Sequence, residues 1–208
     1  MKRIINKLAV YLKDKEISVY VSKSTLNEIA KSSELHVNKS GKIRRLTKIE
    51  EIKYIISART ITDQKTHKYF IRLCKRRLKR GDACFLFLDG DDCMGYLWIA
   101  IGSVYIEAVD FEMRLDNDTI AIYDVYTNER YRGAGVYRSL LMMITEYYKN
   151  YRNAQLWVMR HNKNAIYVQS KCGFSGIYVE VKLISCCGMK RYKIKEVEYP
   201  MGSLLSDG

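Results

Sequence analysis

The run Thr119–Thr127 has the residue types of a strand, and an amphipathic stretch begins at Val136. Between them stands Arg130-Tyr131-Arg132-Gly133-Ala134-Gly135. Two glycines at this spacing let the backbone turn with its N–H groups converging, and they keep side chains out of the space those groups face. A helix starting there adds the positive end of its dipole and its first unsatisfied N–H groups. Arg130, Arg132 and Arg138 add positive charge around the loop. The chemistry this composes is the cradling of a diphosphate. Two familiar nucleotide loops do not fit. The dinucleotide fingerprint needs a third glycine shortly after the second, and none follows Gly135 through Ser139 and Leu140; it also belongs near the start of a parallel β-α-β unit. A Walker A loop needs Gly-Lys-Ser/Thr, which this loop lacks.

The elements that must hold this loop can be read along the chain. Ile17–Val21 alternates weakly as a short strand. Ser24–Ala30 reads as a helix with Ser24 or Thr25 as N-cap and Glu28 at capping-box distance from Thr25. Lys39-Ser40-Gly41 is a turn before a strand at Ile43–Leu46, and Thr47 is the expected cap of a helix whose apolar face is Ile49, Ile52, Ile55 and Ile56. A longer helix, Asp63 to Arg80, carries Phe70, Leu73, Cys74 and Leu78 on one side. It ends in a basic cluster before Gly81, as the helix dipole favours. Ala83–Leu88 and Cys93–Ile101 are strands joined by the hairpin signal Asp89-Gly90-Asp91-Asp92. In Thr119–Thr127 alternation sets Ile120, Ile122, Asp124 and Tyr126 on one face. A helix over Val136–Tyr151, a strand at Gln155–Met159, a helix over Asn164–Cys172 and strands at Ile177–Ile184 and Met189–Val197, joined through Cys186-Cys187-Gly188, complete the order. The fold class is mixed α/β with one central sheet. Residues 1–38 are expected as an N-terminal extension and 39–208 as the main domain.

Leu156-Trp157-Val158, Asn162-Lys163-Asn164-Ala165-Ile166 and Lys171-Cys172-Gly173-Phe174 follow the loop in order. Taken with Arg130–Gly135, they resemble motifs A and B of the GCN5-related N-acetyltransferase (GNAT) superfamily. The matching is close over Thr119–Phe174 and loose over Ile43–Val197. The resemblance implies a central mixed, mainly antiparallel sheet flanked by helices, with strands splayed at a coenzyme A site. It implies acetyl-CoA or another acyl-CoA as co-substrate and acyl transfer to a small-molecule or protein amine. Residue by residue, Val125, Tyr126 and Thr127 would offer backbone to the pantetheine arm. Arg130 and the backbone N–H groups of Arg132, Gly133, Ala134, Gly135, Val136 and Tyr137, with Tyr131 among them, would take the diphosphate. Asn162 would lie beside the thioester, and Arg138 and Lys171 near the adenosine 3′-phosphate.

In acyl transfer from a thioester to an amine, the amine must lose a proton, the carbonyl oxygen must be stabilised, and the departing thiolate takes up a proton. Asp124 is the candidate base or amine anchor, because a carboxylate within an apolar strand is costly to bury unless paired; a purely structural ion pair is the competing reading. The family's thiolate-protonating tyrosine falls at Gln169, whose amide donates a hydrogen bond but no proton. Tyr167 is two residues away on another helix face. Glu107, Asp110 and Glu112 could receive a cationic amine, and His161 is a lesser candidate base.

The chain has 208 residues, 36 Lys+Arg, 23 Asp+Glu, a formal net charge of +13 and six cysteines. That charge attracts polyanions, but a basic solvated face explains it equally. No Cys/His spacing fits a metal site. No apolar run spans a bilayer and the N-terminus lacks a signal-type apolar core, so a cytoplasmic protein is expected. Acyl-CoA-dependent N-acyltransfer is the leading reading. A non-catalytic coenzyme A sensor or scaffold is the second. A nucleic-acid-binding protein is the third, with nucleic acid not expected as the primary partner. Homodimerisation is open.

Overall fold

The computed structural model describes residues 15–34, 41–59, 61–174, 177–186 and 189–198. The strands are β1 (Lys15–Thr25), β2 (Lys42–Arg45), β3 (Ala83–Asp89), β4 (Asp92–Ile101), β5 (Ser103–Ile106), β6 (Phe111–Arg114), β7 (Thr119–Thr127), β8 (Asn153–Met159), β9 (Ile177–Cys186) and β10 (Met189–Glu198). The α-helices are α1 (Leu26–Ser33), α2 (Ile52–Ala58), α3 (Gln64–Arg80), α4 (Val136–Tyr147) and α5 (Lys163–Ser170). Eight strands form one sheet in the order β10-β9-β1-β8-β7-β4-β3-β2, and β5–β6 is a separate hairpin. Every pairing in the large sheet is antiparallel except β7 with β8.

The apolar runs of β3 and β4 are buried on both faces because helices cover both. Period-two alternation sends Cys84, Leu86, Trp98 and Ala100 to the side where Ile52, Ile55 and Ile56 of α2 and Cys74 of α3 pack. It sends Phe85, Phe87, Leu97 and Ile99 to the side of α1 and α4, against Ile29, Leu140, Leu141 and Ile144. Each such aliphatic side chain, fully buried, contributes about 1.5–3 kcal/mol. The segment expected as an extension supplies an interior strand: β1 lies between β8 and β9, with Val21 opposite Trp157 on one side and Val179 on the other. Its helix α1 has the expected capping box, Thr25 Oγ1 accepting from Glu28 N (3.2 Å) and Glu28 Oε2 from Thr25 N (3.1 Å). Residues 1–14 and 35–38 of that segment, the 39–40 part of the turn, residues 187–188 of the last hairpin and the tail from 199 lie outside the described residues. Among the described residues, no helix is long and apolar enough to cross a membrane.

Two local expectations are corrected. Helix α4 stops at Tyr147 rather than Tyr151, with Tyr148 as its C-cap. Thr47 does not cap the following helix with its side chain. The Glu51 carboxylate instead accepts from the backbone N–H of Thr47 (2.8 Å) and Lys48 (3.0 Å) and pairs with Arg44. Burial pushes the Glu51 carboxyl up, but Arg44 and these N–H groups outweigh it and bring it down to about 2. A folded pKa below the unfolded value of about 4.3 stabilises the native state above that pH and loses the effect as pH falls toward 2. Glu51→Gln should therefore cost about 1 kcal/mol near neutrality. Urea midpoints of the two proteins should converge between pH about 4.5 and about 2, and a gap independent of pH would contradict this account.

Candidate functional site

Strands β7 and β8 pair in parallel only from Thr119↔Asn153 to Ile122↔Leu156. Beyond that point they diverge, and Tyr123–Thr127 and Trp157–Met159 flank a cavity of about 1170 Å³. The inner backbone edges of both strands face this gap, since the other edges are taken by β4 and β1. Of the residues expected to hold the cofactor, Arg130 and Ala134 fall outside the cavity lining and the others line it, as do Asp124, Gln169 and Glu107; Asp110, Glu112 and His161 do not.

The glycine loop forms the mouth of the cavity. Asn128 starts a 3-10 turn, Glu129–Tyr131, by accepting from Arg130 N (3.1 Å). The N–H of Arg132 donates to Glu129 O (3.3 Å) and that of Ala134 to Tyr131 O (3.2 Å). Those two groups are thus spent inside the loop. Among the described residues, the N–H groups of Gly133, Gly135 and Val136 have no acceptor. They stand at the start of α4, where the dipole favours an anion. Gly133 and Gly135 hold φ of 80° and 75°, which residues with a Cβ rarely adopt. Gly95 of β4 lets the wall close behind the loop. A Cβ there would lie 2.7 Å from Tyr126 O and 2.8 Å from Val136 Cγ1.

The side chains around the loop are partly committed elsewhere. Arg138 donates to Ser32 O at the end of α1 (3.2 Å), Arg132 pairs with Glu129 (3.0 Å), and the Lys171 ammonium sits 5.5 Å from the Tyr167 ring centroid. Asn162 caps α5 through Ala165 N (3.1 Å). Gln169 is 6% exposed and its Oε1 is buried without a partner among the described residues.

Asp124 sits at a β-bulge. Tyr96 of β4 pairs with Tyr126 and Trp98 with Tyr123, so Asp124 and Val125 oppose Leu97 alone. Asp124 takes φ of 44°, a strained value that aspartate tolerates better than most residues. The bulge breaks the alternation. Ile120, Ile122 and Val125 stay on the α4 side, whereas Tyr123 and Tyr126 pack on the α2–α3 side. The Asp124 carboxylate meets two arginines there, one oxygen taken by Arg59 and the other by Arg77. Arg77, only 4% exposed, also grips both oxygens of Glu107 at 3.2 Å. Its guanidinium lies 5.2 Å from the Trp98 ring and 5.0 Å from that of Tyr123. Burial pulls the Arg77 pKa down, but Asp124 and Glu107 raise it above its ordinary value. Arg59 also donates to the Tyr96 hydroxyl and lies over Tyr126. Burial raises the pKa of the Tyr123 and Tyr96 hydroxyls above the ordinary tyrosine value.

The remaining acidic candidates are engaged as well. Asp110 accepts from the Tyr105 hydroxyl, and Glu112 from Ser103 Oγ at 2.8 Å. His161 is exposed in the turn after β8 and is not among the cavity's lining residues. The two arginines were missed from sequence. Arg77 left a signal, since it follows Leu73 by four and Cys74 by three and so lies in the apolar stripe of α3. Arg59, just past α2, left none.

A mainly antiparallel sheet, one parallel pair that diverges, and a glycine loop with a helix N-terminus at the divergence define the GNAT acetyltransferase fold. Residues 49–174, more than half of the chain, match the Acetyltransferase (GNAT) family, and the chain belongs to it. The fold is similar to that of a conserved protein of unknown function from Staphylococcus epidermidis (TM-score 0.57, 8% identity, covering 94% of this chain and 64% of that one). It is similar to a tandem GNAT protein from the clavulanic acid biosynthesis pathway (0.55, 12%, 94% and 58%). A GNAT-family acetyltransferase from Colwellia psychrerythraea gives 0.53, 8%, 94% and 61%. At these identities the likeness is one of fold, and the chain spans about three-fifths of those chains' length. No curated protein sequence matches it.

Proposed function

We propose that the protein transfers an acyl group, most simply acetyl, from coenzyme A to a primary amine. The observation that carries this reading is the divergence of β7 from β8 beyond Ile122↔Leu156, with three unengaged N–H groups at the mouth of the resulting cavity. In this reading the diphosphate rests on the N–H groups of Gly133, Gly135 and Val136, and the amides of pantetheine pair along Val125–Thr127. Asn162 and Gln169 lie beside the thioester, and Lys171 flanks the nucleotide. Gln169 Oε1 accepts an N–H from the bound arm, which removes the cost of an unpaired buried acceptor. Asp124 acts as the anchor of Arg59 and Arg77 and not as a proton acceptor, because both of its oxygens already receive guanidinium hydrogen bonds.

Acetyl-CoA at about 100 times its Kd should stabilise the protein by about 2.7 kcal/mol. For a domain of this size the melting temperature should rise by roughly 5–10 °C. Free thiol should appear when a suitable amine is added. The absence of any stabilisation would remove the reading. Gln169 favours one alternative, coenzyme A binding without turnover, because an amide cannot protonate a thiolate. Stabilisation without thiol release from any amine selects that alternative.

A further inference from the structure

The part of the cavity bounded by β1, the end of β5 and α3 has two features that bear on the acceptor. The first is charge. Glu107 and Asp124 are the only carboxylates among the described residues lining the cavity. Asp124 is held by Arg59 and Arg77, and Glu107 is held by both nitrogens of the Arg77 fork. Two acids face two guanidiniums, so no unmatched negative charge remains there to anchor an ammonium group. Around the site the whole chain carries +13, which repels a polycation at a distance. The second feature is the wall. Val19, Ile106 and Trp157 are buried, and Tyr126 and Met159 half-buried, on the apolar side of the cavity.

A third observation concerns the proton. Among the described residues lining the cavity there is no histidine, and both carboxylates accept from arginine. A group that takes a proton from a strongly basic ammonium is therefore not at hand in the lining. An amine that is already substantially neutral at the working pH needs no such group.

We infer that the acceptor is a weakly basic primary amine on an uncharged apolar body, of the kind presented by the α-amino group of a hydrophobic peptide or amino-acid amide, and that polycationic amines are excluded. The inference rests on the acyl-transfer reading above. In the step it implies, the neutral amine nitrogen attacks the thioester carbonyl carbon. The C–N bond forms and the C–S bond breaks, and coenzyme A leaves as thiolate. One proton passes from nitrogen to solvent and one is gained by the thiolate, giving amide and free thiol.

The test is a thiol-release assay with acetyl-CoA and three acceptors: phenylalanine amide, phenethylamine and spermidine. Phenylalanine amide should have the highest kcat/KM, at least about tenfold above spermidine, the factor that corresponds to about 1.4 kcal/mol. Its rate should level off once pH passes the ordinary α-amino range of about 8, whereas the phenethylamine rate should still be climbing there. Arg59→Met, which leaves one Asp124 oxygen without its guanidinium, should raise the spermidine-to-phenylalanine amide ratio. The wild-type protein tests the proposal even if that variant does not fold. A preference for spermidine, or a phenethylamine rate that plateaus with that of the amide, overturns the inference while leaving acyl transfer standing. Release with none of the three, with acetyl-CoA still stabilising the protein, also overturns the inference, and the transfer reading falls only if no amine of a wider panel releases thiol.

Discussion

Arg77→Met is expected to lower the stability of the protein by about 3–5 kcal/mol, the range seen when one partner of a buried ion pair is removed. The guanidinium is 4% exposed and serves two carboxylates at once. Methionine fills much of the same volume, so the loss is electrostatic rather than a cavity. It leaves Glu107 without its fork and Asp124 with Arg59 alone. The melting temperature should fall by roughly 6–20 °C, taking about 2–4 °C per kcal/mol for a chain of this length. Arg77→Lys keeps the charge but cannot address Asp124 and Glu107 in two directions, and should recover only part of the loss. A double replacement, Arg77→Met with Glu107→Gln, should be less destabilised than the sum of the two single changes, because the pair is coupled. A fall of less than about 2 °C for Arg77→Met would mean that the network holds little of the fold together.

That network also marks where reading the sequence stops. The Gly133/Gly135 loop was legible because positive φ at the start of a helix demands glycine, and glycine is visible in a sequence. The strands β3 and β4 were legible as apolar runs joined by Asp-Gly, and the capping box of α1 as Thr25 with Glu28. The side on which Asp124 falls was not. Strict alternation groups it with Ile120 and Ile122, and only the bulge against Leu97 turns it toward Arg59 and Arg77. A bulge that uses aspartate instead of glycine leaves no compositional mark. Arg77 was hidden differently, among flanking cations that are exposed, although its place in the Leu73–Cys74 stripe separates it from them. The position of β1 is a matter of long-range pairing. Its residues alternate as Val19 and Val21 do, but nothing local tells that strand to enter between β8 and β9 rather than cap an edge.

Gly133→Val is expected to weaken coenzyme A binding by about 100-fold while leaving the protein folded. The two effects separate because of where a Cβ would go. At Gly133 no atom lies within 4 Å of that position, so no neighbour is displaced. The folded protein meets only the conformational cost of φ near 80° in a residue with a side chain, about 1–2 kcal/mol. For a β-branched residue, relief of that strain turns the peptide and moves the N–H groups of Gly133 and its neighbours off a common focus. Hydrogen bonds to a charged group contribute about 1.5–3 kcal/mol each, so losing two removes at least roughly 3 kcal/mol, or about 100-fold in Kd. Calorimetric titration with coenzyme A measures the affinity, and circular dichroism with thermal melting reports the fold. Gly95→Val is the contrasting control. Its Cβ would strike Tyr126 O and Val136 Cγ1 at under 3 Å, so it should lose stability and affinity together, through the wall rather than through the N–H groups. If Gly133→Val binds coenzyme A as the parent does, the diphosphate does not rest on this loop, and the acyl-CoA reading loses the feature on which it most depends.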